Sequence, residues 1–327
     1  MQTFFLVFLM MVTNYLEGIL ILVFVISFMD GWTRPCRNSL VPRLVSSNQI
    51  VKANSLLSSI NQIVQILGWS LGGILIVYIG EIYVLLITIC LFALSTISLF
   101  FIKDPTNDTT VNQDAESKWK RFSFGWINIW NNKILRVVTL KDLFETFAGS
   151  IWIGAIILVF VKKVLYKGEE WWGFINASNI TGMLIGSVVA WFLARWINKK
   201  LIVSLFLSSL SVCILTFIFA LNNNPWISLG IVLLMGIPYQ LRDISQQTIF
   251  QKNVEYSILP IVFSAHGILI YMVFGLSVLI MGLLSDLFGV KTVYLTAGTL
   301  YGISALLTAL VKSKVNIEDN IKIKSTL

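Results

Sequence analysis

Two carboxylates, Asp142 and Glu145, lie three residues apart inside a long apolar segment of the chain. At this spacing both side chains share one face of a helix. An ionised carboxylate near the centre of a bilayer costs about 2.5–3.5 kcal/mol on insertion scales, so such groups persist where they line a cavity, find partners or carry protons. We therefore expect the pair to exchange protons. The structural alternative is an ion pair with Lys141 or Arg136.

A second group of ionisable residues, Asp30, Arg34 and Arg37, is spaced four and three residues apart, which also places them on one helix face. Asp30 is a third candidate for proton coupling, and Arg34 or Arg37 would then offset the negative charge of its carboxylate. Arg37 is also a candidate for the cavity or for the contact between helix bundles. The alternative is that the arginines reach the interface and bind lipid phosphate.

Arg242 and Asp243 follow Pro238, which is expected to kink its helix. We expect the two side chains to point to different faces, so that they do not simply neutralise each other. Both are candidates for the cavity or the interbundle contact, with Asp243 meeting Arg37 from the other half. The alternative is a cluster of charges at the cytoplasmic interface.

Polar residues of two other kinds complete the candidates. Asn176 and Asn179, with Thr181, form a polar stripe that either lines a transport path or bonds a neighbouring helix. His266 is the single histidine of the chain, and histidine is the residue type most often used to exchange protons near neutral pH. Lone histidines near helix ends are more often packed than reactive.

Several chemistries have no matching pattern in the sequence. The three cysteines are far apart, and with one histidine they give no metal-ligand spacing. There is no phosphate-binding Gly-Lys-Ser/Thr loop and no Ser/His/Asp constellation. We expect no enzyme, no metal and no cofactor.

The composition is that of a membrane protein. The 327 residues are 57% hydrophobic and only 12% charged, with a mean hydropathy of +0.83, whereas soluble domains carry about 25% charged residues. The sequence therefore predicts an all-α polytopic membrane protein. The net charge of +8 reflects membrane topology, and no nucleic-acid partner is expected.

Nine apolar runs are long enough to span a bilayer. Their approximate bounds are 18–42, 54–79, 82–102, 135–161, 172–197, 200–221, 226–250, 258–285 and 290–312. A shorter run at 3–13 is interpreted as a truncated helix, because it lacks the basic start and small-residue cleavage site of a signal peptide. The total is about ten transmembrane helices.

The polar stretch 103–134 divides these runs into two groups. It is predicted to be a central cytoplasmic loop, in which an amphipathic piece at 118–130 either lies on the membrane surface or is an ordinary linker. The expected units are a partial N-terminal bundle (1–102), this loop, a six-helix C-terminal bundle (135–312) and a cytoplasmic tail (313–327). Most Lys and Arg residues fall on one side, so the positive-inside rule predicts that both termini are cytoplasmic in the cell membrane.

An internal repeat relates the two groups. A shift of 209 residues aligns Arg43 with Lys252, Gly73 with Gly282 and Gly80 with Gly289. Two similarly oriented halves around a central loop are a parallel repeat of the kind found in transporters.

Two passages resemble the major facilitator superfamily, in its branch of macrolide-efflux and siderophore exporters. They are residues 33–75 and residues 247–267, followed by 282–291. In the first passage the matching residues are Pro35, Arg37, Pro42, Leu67, Gly68, Gly72 and Gly73. The resemblance implies that Gly68, Gly72 and Gly73 form a helix-packing motif, in which Trp69 replaces the usual proline.

The resemblance implies a two-bundle fold of twelve helices, of which this chain matches the third onward. The second-half copy of a cytoplasmic loop motif is represented by Arg195, Lys199 and Lys200, with Ala194 in place of its Asp. A start upstream of Met1, a truncated gene and an unusual ten-helix form remain open.

The function implied is secondary active transport. By resemblance, segments 18–42, 135–161 and 226–250 line a central cavity. We expect export of small amphipathic compounds by proton antiport, with the lipid bilayer, a small-molecule substrate and protons as partners. The alternative is a truncated, non-transporting membrane remnant or partner subunit.

Overall fold

The computed structural model describes residues 4, 5, 8, 16–99, 101, 118–152 and 154–325, and regular structure within them is entirely helical. A helix satisfies all its backbone hydrogen bonds internally, which long apolar runs require in lipid. The elements are α1 (Leu16–Leu44), α2 (Ile50–Ile79), α3 (Glu81–Leu99), α4 (Lys118–Asn131), α5 (Lys133–Gly149), a 3₁₀ turn (Ser150–Trp152), α6 (Gly154–Lys163), α7 (Glu170–Phe192), α8 (Ala194–Lys199), α9 (Leu201–Leu221), α10 (Pro225–Asn253), α11 (Leu259–Phe288) and α12 (Val290–Ser325). The all-α class is confirmed.

The membrane spans follow the apolar runs. Among the described residues, seven helices are long and apolar enough to cross a membrane, and the pair α5 and α6, bent by 52°, makes an eighth if the two are taken as one span. The seven are α1, α3, α7, α9, α10, α11 and α12. Eight of the nine predicted runs fall on one helix or on this bent pair, and the ninth, 172–197, falls on α7 and α8. Most of the short run at 3–13 lies outside the described residues.

Three boundaries differ from the sequence prediction. The run 172–197 is not one helix, because the chain breaks at Leu193 between α7 and α8. The run 135–161 is interrupted by the 3₁₀ turn after Gly149. Helix α12 continues to Ser325, past the predicted end at 312.

The sequence repeat is a structural repeat. Helices α1 and α10 have 29 residues each, and α2 and α11 have 30 each. A shift of 209 residues carries the bounds of α1 and α2 onto those of α10 and α11. Gly80 and Gly289, which follow α2 and α11, have φ of +82° and +83°, a conformation that glycine adopts at little cost. The helix bounds therefore repeat with the same shift as the sequence, and the parallel orientation of the halves stays a prediction.

The amphipathic segment predicted within the central loop forms α4, which packs on α11. A Cβ atom added to Gly125 would lie 2.9 Å from the Ile261 carbonyl oxygen, so glycine permits this approach. Ile129 is fully buried in the same contact region. The helix is therefore attached to the second half of the molecule.

Helices α7 and α10 cross at very close range. The hypothetical Cβ of Gly182 would overlap the carbonyl oxygen of Leu233, and that of Gly236 would lie 2.6 Å from the Gly182 carbonyl carbon. Small residues let membrane helices approach in this way. This crossing fixes the position of α10 against α7.

Polar side chains join the two halves of the repeat. The Asn54 amide of α2 donates to Thr248 Oγ1 at 3.0 Å and to Gln251 Oε1 at 2.7 Å on α10. The Gln62 amide donates to Gln240 Oε1 at 3.2 Å. These buried contacts all use the same helix, α10.

We predict that Gly182→Val destabilises the protein by about 1–3 kcal/mol, because the added atoms overlap the α10 backbone. Gly173→Val on the same helix is the control, since nothing lies within 4 Å of its Cβ position. Thermal unfolding of the purified protein in detergent measures both. Equal transition temperatures for the two variants would show that the close crossing is not required.

Candidate functional site

Glu145 is the centre of a buried ionic cluster inside the second half of the molecule. It is 2% exposed, and Lys141, one turn earlier on α5, is 0% exposed. Lys141 Nζ donates to Glu145 Oε2 at 2.5 Å, and Arg242 NH1 of α10 lies 3.3 Å from the same oxygen. Glu145 Oε1 accepts hydrogen bonds from Ser209 Oγ at 2.7 Å and Ser304 Oγ at 2.5 Å. Four helices therefore converge on one carboxylate.

Local sequence places these groups. Asn132 caps α5 by accepting hydrogen bonds from the backbone N–H groups of Ile134 and Leu135 at 3.0 and 3.2 Å, which fixes where the helix begins. From that start Lys141 and Glu145 lie four residues apart on one face. A buried charge is tolerated only when it is paired and hydrogen-bonded, and the cluster meets both conditions.

Arg242 links the cluster to a more exposed edge. Its Nε and NH2 atoms donate to Asp243 Oδ1 at 3.1 and 2.8 Å, and its guanidinium lies 3.8 Å from the ring centroid of Tyr239. The expectation that Arg242 and Asp243 do not neutralise each other is wrong, because the long arginine side chain folds back onto its neighbour. The Asp243 side chain is 45% exposed.

The carboxylates of Asp142 and Glu145 have different partners. Asp142 Oδ2 lies 3.1 Å from His266 Nε2 of α11, and both side chains are largely buried. The imidazole also packs on the Phe250 ring, with 4.7 Å between centroids. Asp142 thus faces α11, whereas Glu145 faces α9, α10 and α12. Glu145 therefore forms the ion pair with Lys141 that was the structural alternative, whereas Asp142 pairs with His266.

The first-half candidates, Asp30, Arg34 and Arg37, all lie on α1. Arg37 is exposed and its NH1 donates to Asn61 of α2 at 3.4 Å, and Arg34 is exposed. The side chain of Asp30 lies outside the described residues. Their functional roles remain predictions.

The polar stripe of α7 makes local contacts. The Asn176 amide donates to the Trp172 carbonyl oxygen at 2.8 Å within its own helix. Asn179 is half-buried, and its backbone carbonyl oxygen lies beside Gly236 of α10. Asn179 therefore belongs to the close helix crossing, and a place for either residue in a transport path stays a prediction.

The two family motifs lie at the surface of the described part. No other atom there comes within 4 Å of a Cβ built on Gly68 or Gly72, and Gly73 is outside the described side chains. Arg195, Lys199 and Lys200 are exposed around α8. The packing role of the glycines and the loop role of the basic residues stay predictions.

Sequence reasoning missed much of the cluster. Ser209 and Ser304 stand in apolar helices where a serine commonly bonds its own backbone, so nothing marked them. Lys141 was considered only as a neutralising partner. His266 was interpreted as a packed residue, although a lone intramembrane histidine near an acid was an available signal.

A buried ionic cluster within two repeated sets of membrane helices is typical of membrane transporters. Intramembrane ionisable groups mark ion and substrate paths, and parallel repeats flank the binding sites of secondary transporters. The molecule is therefore a polytopic membrane transporter by architecture. More specifically, the chain belongs to the Major Facilitator Superfamily, whose family model matches residues 1–257.

Known proteins similar to this chain agree with that assignment. The MFS-type transporter YfmI of Bacillus subtilis (strain 168), described as uncharacterized, is 38% identical over 297 residues, which is 90% of this chain and 73% of YfmI. YjbB of the same organism, described in the same way, is 33% identical over 296 residues, 90% of this chain and 72% of YjbB. A crystal structure of a variant of the E. coli fucose:proton symporter FucP has a TM-score of 0.77 at 13% identity and covers 94% of this chain and 80% of its own. That likeness shows the fold.

We predict that Glu145→Gln lowers the free energy of unfolding by about 3–5 kcal/mol, because it leaves two buried cations without their shared carboxylate. The double variant Lys141→Met with Glu145→Gln should regain part of that loss. Unfolding in SDS measures both.

The matched control is Glu169→Gln, because Glu169 pairs with Lys162 at 2.7 Å on the protein surface. Screened surface pairs contribute little, so its unfolding curve should coincide with that of the unmodified protein. If Glu145→Gln is equally silent, the cluster does not hold the helices together.

Proposed function

We propose that this protein is a secondary active transporter that exports small amphipathic compounds, of the macrolide or siderophore kind, by proton antiport. In this proposal residues 1–102 and 135–312 are the two moving bundles. The protein lies in the cell membrane with both termini cytoplasmic. The observation that carries the proposal is the buried ionic cluster, since a purely structural bundle gains little from charges that are costly to desolvate.

The balance of charge in the cluster depends on one proton. Lys141 and Arg242 offset Glu145 and Asp243, which leaves Asp142 as an unbalanced carboxylate when His266 is neutral. A proton on His266 would make the whole group neutral. Histidine changes charge between about pH 5 and 8, so the Asp142–His266 pair is the proposed place of proton capture.

The geometry supports a division of roles. Glu145 is held by two cations and two hydroxyls, so it organises the cluster, while Asp142 pairs directly with His266. Asp30, of the first half, is a further proton site in this proposal. Protonation biases one conformation only if the two states bind the proton with different affinity.

The proposed cycle is alternating access. In each cycle the proton enters from outside, and its release inside accompanies return of the cavity to the cytoplasmic side. In the conformation described here, the hydrogen bonds of Asn54 and Gln62 with α10 hold the two halves together. Proton coupling is compatible with this fold, because FucP is described as a proton symporter.

We predict that His266→Gln abolishes proton-driven uptake of a radiolabelled macrolide into everted membrane vesicles. Downhill equilibration of the same compound should persist, because the cavity is intact while the proton site is lost. Asp142→Asn should act in the same way. Uptake is measured with and without an imposed pH gradient.

Asp286→Asn is the control, since Asp286 is an exposed carboxylate on the same helix as His266. It should leave gradient-driven uptake unchanged. A double variant, Asp142→Asn with Glu145→Gln, that keeps both transport and its pH dependence would show that these carboxylates do not take part in proton coupling. A chain that moves no substrate under any gradient would favour the partner-subunit alternative.

A further inference from the structure

Helix α4 packs on the second half of the molecule through one of its faces. On this face Gly125 lies against α11, where an added Cβ would be 3.0 Å from the Ala265 side chain. Ile129, four residues later, belongs to a buried cluster with Leu135 of α5 and Val262 of α11, which also takes residues from the last turn of α10. Helix α4 therefore lies at the end of the bundle where α5 and α11 begin.

The opposite face of α4 is apolar and exposed. Phe124, Ile127 and Trp130 follow one another at intervals of three residues, and their side chains are 45%, 50% and 39% exposed. Ile127 is two residues from both Gly125 and Ile129, so helix geometry directs it away from α11. The surface face of a helix on a soluble protein carries polar residues, whereas grouped large apolar side chains mark contact with a membrane or a partner.

The sequence around this face carries charge of one sign. Residues 118–140 contain no Asp or Glu, and their five basic residues are Lys118, Lys120, Arg121, Lys133 and Arg136. Position 120 is four residues before Phe124 and seven before Ile127, which places it on the exposed face of the helix. Lys133 and Arg136, in the first turn of α5, are exposed. Cationic groups therefore adjoin the apolar face.

A membrane surface fits this face better than a protein partner does. Basic residues beside exposed aromatic and aliphatic side chains are the pattern of a helix that lies in the membrane interface. Since α11 spans the membrane and begins beside α4, the lipid headgroups reach the level of α4, a depth at which tryptophan is favoured. Stable protein interfaces bury about 800 Å² on each partner, more than one face of a 14-residue helix offers. Anionic headgroups attract basic segments at this level.

We propose that the outer face of α4 binds anionic phospholipid. Phe124, Ile127 and Trp130 lie among the upper parts of the acyl chains, and the basic residues between 118 and 136 offset the charge of the headgroup phosphates. The inference concerns the lipid around the protein and does not depend on the proposed transport function. Lipid bound here holds α4 at the membrane while its other face, with Gly125 and Ile129, packs on the start of α11.

The test is lipid binding to the 327-residue chain purified in detergent, with phosphatidylglycerol as the anionic probe and phosphatidylcholine as the zwitterionic one. Native mass spectrometry gives a dissociation constant for each lipid. The unmodified protein should bind phosphatidylglycerol at least about tenfold more tightly. The triple variant Lys118→Gln, Lys120→Gln and Arg121→Gln should reduce this preference at least about fivefold, the effect of one basic residue at a lipid surface. Equal binding of the two lipids by the unmodified protein would overturn the inference.

The matched control removes three other basic residues at the same end of the molecule. Arg195, Lys199 and Lys200 are exposed around α8, which ends directly before α9, and Leu205 of α9 belongs to the same buried cluster as Ile129. Their joint exchange to glutamine removes the same charge but should change the lipid preference less than about twofold, because the aromatic face of α4 is absent there. An equal loss in both triple variants would mean that lipid responds to net charge alone, which overturns the inference.

Photolabelling of the unmodified protein in nanodiscs locates the lipid without any substitution. Phosphatidylglycerol with a photoreactive group near the top of one acyl chain should label the peptides that contain Phe124, Ile127 and Trp130. The matching phosphatidylcholine probe should label them at least about threefold less. Excess glycerol 3-phosphate should not reduce labelling, because the acyl chains hold the lipid on the apolar face.

Three results would contradict the proposal. Equal labelling by both lipids would show that α4 does not select anionic lipid. Label that appears on other surfaces only would mean that a different occupant, such as an acidic protein segment, covers α4. Loss of label in the presence of glycerol 3-phosphate would assign the site to a soluble phosphate compound and not to a membrane surface.

Discussion

The carboxylate of Glu145, buried between Lys141 and Arg242, is the interaction on which the arrangement of the second half depends. Each charge would be costly alone in a low-dielectric interior, and together with the Ser209 and Ser304 hydroxyls they satisfy one another. Because these side chains come from α5, α9, α10 and α12, a shift of any of the four helices would break a salt bridge or hydrogen bond to a buried charge. The cluster therefore constrains how the four helices pack.

Helix α10 carries that constraint to the rest of the molecule. Within a few turns it supplies Gly236 to the close crossing with α7, Gln240 to the first half and Arg242 to the cluster. Its repeat mate α1 has the same length but, in the described residues, forms no comparable cluster. Helix α10 therefore joins the ionic cluster to the contact with the first half.

Much of the fold could be predicted from the sequence, because apolar runs and their spacing report helices in lipid. The shift of 209 residues seen in the sequence also relates the bounds of α1 to those of α10 and the bounds of α2 to those of α11. The bend after Gly149 could not be predicted, since no proline marks it and its cause is tertiary. The cluster was half predictable: Glu145 with Lys141 follows from helix periodicity, but Ser209, Ser304 and His266 come together only through packing between distant segments.

We propose that the buried cluster gains and loses one proton at the Asp142–His266 pair. The chain contains one histidine, so ¹⁵N NMR of histidine-labelled protein in lipid nanodiscs observes this imidazole alone. We expect the imidazole to change protonation over the same pH range in which proton-driven uptake changes. Asp142→Asn should shift the pH dependence of the imidazole and of uptake together. An imidazole that stays in one protonation state while transport retains its pH dependence would contradict it.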